Sequence, residues 1–207
     1  MEKLTGPAYR IETSRLVIRC YNPADAPLLH AAVEASREHL KPWMPWAHQD
    51  QALQDHVELL RTFRGQFDLG EDFIYGIFNA DESRLLGGSG LHTRRGAHIR
   101  EIGYWVRVED IRRGFASETA AALVKVAFEI DRVQRVEIRV DPDNAASAAI
   151  PARLGFTREG NLRAQSVFLD QPRDTEVWSL LADEYPSSPA SEAAIRAYDV
   201  LGRSLLV

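Results

Sequence analysis

The sequence predicts a mixed α/β domain, and three observations carry the prediction. β-Branched runs alternate with stretches of helical periodicity along most of the chain. In the middle, strand-like runs follow one another across connectors no longer than a turn, as in an antiparallel meander. The length, 207 residues with 45% hydrophobic and 27% charged composition, suits one substantial domain with a real core.

Arg15 to Tyr21 (RLVIRCY) is rich in β-branched residues and reads as a strand. Asn22 and Pro23 suit a helix start, and Leu28, Leu29 and Ala32 open its apolar face. The connector KPWMPWAHQD cannot be regular helix around Pro42 and Pro45, yet Trp43, Met44 and Trp46 are too apolar for a solvated loop. From Gln51 to Phe67, Leu53, Val57, Leu60 and Phe67 recur at helical spacing. FIYGIFN, RLLGGSGLHT and HIREIGYWVRV are the successive strands, joined by ADES and RRGA. Ala120, Leu123, Val124, Ala127 and Phe128 mark a helix, VEIRVDP a strand, and NAASAAIPARLGF a short helix ending in Gly155. Pro151 fits that helix only near its first turn. SVFL and TEVWSLL add strands. YPSSP, Tyr185 to Pro189, breaks the pattern, and Ile195, Tyr198, Leu201 and Leu205 predict a terminal helix. The expected division is a main domain over 1–184 and a helical extension over 185–207, which either packs on its own chain or completes a homodimer.

Composition removes several classes. With 25 Lys+Arg against 30 Asp+Glu the net charge is −5, which argues against a nucleic-acid backbone as partner. Cys20 is the single cysteine and excludes an internal disulfide framework. MEKLTGPAYRIETSR has no leader-like apolar run, and no stretch approaches the roughly 20 apolar residues of a membrane span, so a cytoplasmic protein without a membrane partner is expected. The histidines have no metal-ligand spacing, so no metal is expected. GGSGL fails the nucleophile-elbow pattern at Leu91, and there is no phosphate-loop motif.

One loop does carry chemistry. IRRGFASE lies between a strand ending near Val106 and the helix whose face begins at Ala120. A helix start presents unpaired N–H groups and the positive end of the dipole; Gly114 allows close approach, and Arg112 and Arg113 bring charge. The reading is a pyrophosphate-sized cradle; the plain alternative is a turn glycine beside solvated arginines.

Together with its neighbours, the loop closely resembles the GCN5-related N-acetyltransferases (GNAT), in particular the Rim-type branch that acetylates ribosomal-protein N-termini. The segments are EIGYWVRVEDIRRGFASETAAALVKVAF, VDPDNAASAAIPARLGFTREGNLR and DTEVWSLL, and the resemblance spans Arg15 to about Leu181. It implies the GNAT acyl-CoA N-acyltransferase fold, in which helices flank a central sheet that starts antiparallel and becomes parallel near the cofactor. It also implies acetyl-CoA as co-substrate. Ile111 to Ala116 match the family's Q/R-x-x-G-x-G/A signature at Gly114 and Ala116 and depart from it at Ile111. By resemblance, the amides of Arg112, Arg113, Gly114, Phe115, Ala116 and Ser117 receive the pyrophosphate, and the pantetheine arm pairs along Val106, Arg107 and Val108. Asn144 matches the family's asparagine beside that arm, with helix capping as its alternative role. Ser147 matches the hydroxyl near the thioester sulfur.

The reaction needs a neutral amine, and a departing thiolate gains from a proton or hydrogen bond. The period of two puts Glu101, Gly103 and Trp105 on one face of their strand and Ile102, Tyr104 and Val106 on the other. Glu101 matches the glutamate that serves some family members as general base; its alternative is a surface role or an arginine partner. Ser147 or Tyr104 would assist the thiolate. Trp43 and Trp46 fall where the family's first helices meet above the acceptor, and with His92 they form the expected substrate side; core packing is the alternative. The expected activity is direct acetyl transfer to a primary amine, either a protein N-terminus or a small molecule, with the acidic charge favouring a basic acceptor. The rival is a non-catalytic acyl-CoA-binding or sensing protein, motivated by Ile111 and by Ser166, which stands where the Rim branch carries a carboxylate.

Overall fold

Each strand-like run of the sequence finds a partner in one mixed sheet, seen in a computed structural model that describes residues 6–206. The sheet order is β10-β9-β1-β2-β3-β4-β5-β6-β8-β7. The meander is β3 (Phe73–Asn79), β4 (Leu85–His92) and β5 (Ile99–Val106), preceded by β1 (Arg10–Glu12) and β2 (Leu16–Cys20). α3 (Phe115–Glu129) crosses over to β6 (Arg135–Val140), which lies parallel to β5. α4 (Ala145–Arg153) and the long hairpin of β7 (Thr157–Phe168) and β8 (Gln171–Leu181) complete this half. The antiparallel start and parallel turn expected of the GNAT fold are both present.

Helices cover the two faces. α1 (Ala26–Leu40) and α2 (Leu53–Leu69) lie on one, where Leu29, Val33 and Leu60 pack on Val17, Phe78 and Leu85. α3 lies on the other, with Leu123, Val124 and Ala127 against Ile18, Tyr75, Ile102 and Ile138. α1 is entered through a tight cap: the Asn22 side chain accepts from the Ala24 amide, Asp25 accepts from the Asn22 amide, and Arg19 grips Asp25 with both terminal nitrogens.

The expected terminal helix is not formed. Residues 185–206 instead give 3-10 turns and two short strands, β9 (Arg196–Tyr198) and β10 (Ser204–Leu206). Burial there has period two: Ile195 and Ala197 are inside and Arg196 between them is exposed, whereas Leu201, which the helical reading placed on an apolar stripe, is exposed. β1 supplies the reason, since it would otherwise be a bare edge and β9 pairs along it. Asp199 makes the turn by accepting from the amides of Leu201 and Arg203. The segment is also tied to α3, because Tyr185 stacks on Phe128 at 4.8 Å and donates to Glu129 at 2.6 Å. Tyr185→Ala should therefore cost about 3 kcal/mol, read as a lower denaturant midpoint with an unchanged slope.

Candidate active site

The site begins where two strands part. β5 and β6 pair only from Ile99–Arg135 to Ile102–Ile138, although both continue beyond. β5 stays with β4 as far as Val106, and the Arg107 amide still donates to Leu86; Val140 stays with Glu176 of β8. Because antiparallel pairs alternate in hydrogen bonding, the backbone groups of Tyr104 and Val106 face the β6 side, where no strand among the described residues answers them. The result is a slot in the sheet with free main-chain donors and acceptors on its wall.

The end of α3 opens beside this slot. Gly114 caps it with φ +82°, a left-handed conformation that suits glycine, and Arg112 at φ +60° is left-handed without that freedom. Among the described residues, the amides of Arg112, Arg113, Gly114, Phe115, Ala116 and Ser117 have no hydrogen-bond acceptor, so the loop presents a row of donors. Arg15 braces it from β2's side: it donates to the Arg113 carbonyl at 3.0 Å, pairs with Glu118, and lies over the Phe115 ring at 4.8 Å. Arg113 leans on Asp110 at 2.8 Å, which leaves Arg112 as the loop's own exposed arginine without a carboxylate partner among the described residues, and Arg153 reaches the Ser117 hydroxyl from α4 at 3.4 Å. The row of orphan amides beside a cationic side chain fits a pyrophosphate.

On the α3 side of the slot, Tyr104 and Ser147 meet. Pro151 sits inside α4 rather than in its first turn, and having no N–H it leaves the Ser147 carbonyl unused by the helix. The Tyr104 hydroxyl takes that place, donating to the Ser147 carbonyl at 3.1 Å, while the Ser147 hydroxyl donates to the Tyr104 oxygen at 3.3 Å. Burial, only partly offset by the Ser147 contact, pushes the Tyr104 phenol up to about 12, so it is a neutral donor throughout the working range. Asn144 caps α4, its side-chain oxygen accepting from the Ser147 amide at 3.1 Å.

The opposite side of the slot lies under α1 and α2. Trp105 faces this side and meets Trp46 edge-on at 5.8 Å. The tip of the β7–β8 hairpin reaches the same region: Arg173 donates to the Pro42 carbonyl at 3.0 Å and pairs with Asp141 at 2.7 Å, and Phe168 meets His48. The chain thus has a donor side at the α3 start and a separate aromatic side across the sheet.

Comparison with known proteins gives the family. The Acetyltransferase (GNAT) domain family matches residues 15–157, most of the chain. The chain belongs to the GNAT acetyltransferase family. The uncharacterized N-acetyltransferase YoaA of Bacillus subtilis (strain 168) is 29% identical over 172 residues, which cover 83% of this chain and 96% of YoaA. The [ribosomal protein uS5]-alanine N-acetyltransferase of Escherichia coli (strain K12) is 26% identical over 185 residues, 86% of this chain and 94% of that one. The structure of Mycobacterium smegmatis RimJ, solved with a CoA disulfide, shares the fold at a TM-score of 0.76 and 24% identity, covering 92% of this chain and 93% of that one.

Within this acetyltransferase, most of the sequence-predicted residues gather around the slot, with three differences. Val108 does not extend the slot wall: it begins a 3-10 turn, and its amide donates to the Ser36 hydroxyl at 3.0 Å. Arg107 points its amide to β4, which leaves Val106 as the wall residue of that trio. Glu101 is not a free carboxylate. Its oxygens take Arg94 and the Nε of Arg95, the latter at 2.5 Å, and Arg139 stands at 3.8 Å. Burial by itself would raise its pKa, but Arg94 and Arg95 outweigh this and hold it below the usual carboxylate range, a poor position from which to take a proton. The arginine-partner reading is the observed one.

Trp43 is half-buried in the connector, and Trp46 serves both packing and the aromatic wall. Ser166 is exposed on β7, its hydroxyl donating to the Arg173 carbonyl and accepting from the Thr175 hydroxyl across its own hairpin. His92 lies on the aromatic side with a partner that the sequence did not reveal: its Nδ1 is 2.7 Å from a carboxylate oxygen of Asp72, twenty residues earlier. Apart from its place just before a strand, Asp72 gave no signal.

The Glu101 cluster has a pH signature. A carboxylate whose folded pKa is depressed stabilises the fold above the 4.5 of an ordinary glutamate and loses that contribution as pH falls through the lower folded value. Glu101→Gln should be less stable by about 2 kcal/mol at neutral pH, with the gap to wild type closing in chemical denaturation series run below pH 4.5.

Proposed function

We propose that this enzyme transfers acetyl from acetyl-CoA directly to the primary amine of a protein N-terminus or of a small molecule. One observation carries the reading: the slot between β5 and β6 opens at once onto the orphan amides of the α3 start and onto the aromatic side under α1 and α2. Donor and acceptor can then approach from opposite faces and meet where the strands part, which supports direct transfer without a covalent enzyme intermediate.

The roles follow from the contacts. The amides of Arg113 to Ser117 and the free Arg112 bind the pyrophosphate, and the main chain of Tyr104 and Val106 pairs with the pantetheine arm. The Tyr104 and Ser147 hydroxyls stand nearest the departing sulfur, where one of their protons offsets the thiolate. Acetyl-CoA, when bound, supplies the thioester, the only activated group the reaction needs. Trp46, Trp105 and Trp43 flank the acceptor. The ribosomal uS5-alanine activity named for the Escherichia coli relative supports an N-terminal amine first, with small amines second. A cytoplasmic setting suits such acceptors. The described residues contain no helix long and apolar enough to cross a membrane.

The test is free-thiol release from acetyl-CoA across a panel of N-terminal peptides and small amines. Release should depend on the acceptor for at least one class; tight acetyl-CoA binding without any acceptor-dependent release would favour a sensor. Gly114→Ala, forcing a side chain into the left-handed cap, should weaken acetyl-CoA binding roughly tenfold by titration calorimetry while the melting temperature moves little.

A further inference from the structure

We propose that His92 is the general base of this enzyme, held in place by Asp72, and that Glu101 has no proton-transfer role. The inference rests on the acetyl-transfer reading above and concerns how the acceptor amine loses its proton.

Three observations place His92. It is the last residue of β4, directly opposite Glu101 of β5, on the face that carries Gly103 and Trp105. Its ring lies back along the sheet over two glycines: a β-carbon at Gly90 would stand 2.2 Å from Nε2, and one at Gly103 3.7 Å. Gly90 and Gly103 are themselves a cross-strand pair, and Gly103 is the first β5 residue past the last pairing with β6. A side chain at Gly90 would collide with the ring, whereas one at Gly103 would meet it at ordinary van der Waals distance. The bare backbone at Gly90 therefore lets Nε2 lie beside Gly103, where the strands part, on the acceptor side.

The other nitrogen is committed. Nδ1 donates to Asp72 at 2.7 Å, and Asp72 is further fixed by the Thr93 amide at 3.2 Å. Burial would raise Asp72, but the bonds from His92 and from the Thr93 and Phe73 amides keep it below the ordinary range, so it remains an acceptor. A carboxylate on Nδ1 leaves Nε2 as the ring's free lone pair. Around the ring stand Asp72, the carboxylate of Glu101 and its guanidinium partners Arg94, Arg95 and Arg139. Glu101 is matched by these arginines, and Asp72 is left as the carboxylate that His92 alone among side chains satisfies. The imidazolium formed in the reaction has a counterion already in contact.

The step balances without a further reagent. The neutral amine attacks the thioester carbonyl carbon, the C–N bond forms and the C–S bond breaks. The amine's surplus proton goes to Nε2 of His92, and the sulfur takes a proton either directly from solvent or from the Tyr104–Ser147 pair, which solvent then reprotonates. Products are the amide and the free thiol, and His92 then returns its proton to solvent.

The experiment measures kcat/KM against pH for the best acceptors of the panel, chosen to differ in amine pKa. An acidic limb that moves with the acceptor belongs to the amine; one that stays fixed belongs to the enzyme. In His92→Gln the fixed limb should vanish and the rate fall by about 100-fold or more, with acetyl-CoA affinity within about threefold of wild type, since the donor face is untouched. Asp72→Asn should lower kcat at least about tenfold, by analogy with the tautomer loss in a serine-protease triad, while the acceptor KM changes little. A His92→Gln enzyme that keeps the fixed limb and a rate within threefold of wild type overturns the proposal. Should that variant fail to fold by circular dichroism, an Asp72→Asn enzyme with unaltered kcat and pH profile overturns it instead. Wild type that binds acetyl-CoA yet acetylates no amine overturns the acetyl-transfer reading itself, and the base with it.

Discussion

Everything in this molecule that bears on chemistry depends on the parting of β5 from β6. A parallel pair ordinarily runs as long as both strands do, because each unpaired backbone group inside a protein costs free energy. Here the ladder ends after Ile102 and Ile138 while each strand is held by its other neighbour, β4 for one and β8 for the other. The unpaired groups of Tyr104 and Val106 and the amides at the start of α3 are orphaned in the same place. On the proposed reading, binding of the donor and completion of the sheet are one event.

The two faces of the slot are built differently. The α3 face is main-chain and hydroxyl chemistry: free amides, the Tyr104–Ser147 pair, and Arg112 and Arg153, which have no carboxylate partner among the described residues. The other face is side-chain chemistry, with tryptophans, the His92–Asp72 pair and the arginine-clasped Glu101. Arg94, Arg95 and Arg139 gather there although the whole chain carries a net charge of −5. Most of that positive charge is spent on Glu101 and on Glu137, which Arg135 and Arg139 hold at 2.8 and 3.0 Å. Such a network fixes the ends of β5 and β6 relative to one another just before they separate.

The meander, the crossover through α3 and the anion loop were legible because each rests on a local rule: period two in HIREIGYWVRV, helical spacing from Ala120 to Phe128, glycine at the head of a helix. The sides of β5 were legible for the same reason, and Tyr104 and Glu101 indeed fall on opposite faces. What escaped was non-local. Nothing near Ile195 says that β1 needs a neighbour, and the spacing of Ile195, Tyr198 and Leu201 matched a helix by coincidence. RRGA was readable as a turn, but not as the source of the arginines that neutralise Glu101. The Asp72–His92 contact joins a loop to the far end of a hairpin, and only the folded chain sets the two side by side.

Pro151 shows how a residue with no reactive atom enters the site. In most helices an interior proline is a defect to be endured. In α4 the missing amide works as a reservation: one carbonyl of the helix is kept out of the ladder, and a phenol from another element is held by it at a set distance from a serine hydroxyl. The orientation of Tyr104 is thus written in the backbone of α4 as well as in the Ser147 hydroxyl that touches it. A homologue with alanine at this position would keep every polar side chain of the slot, yet its helix would compete with the tyrosine for the same oxygen. Lists of matching catalytic side chains are blind to a difference of that kind.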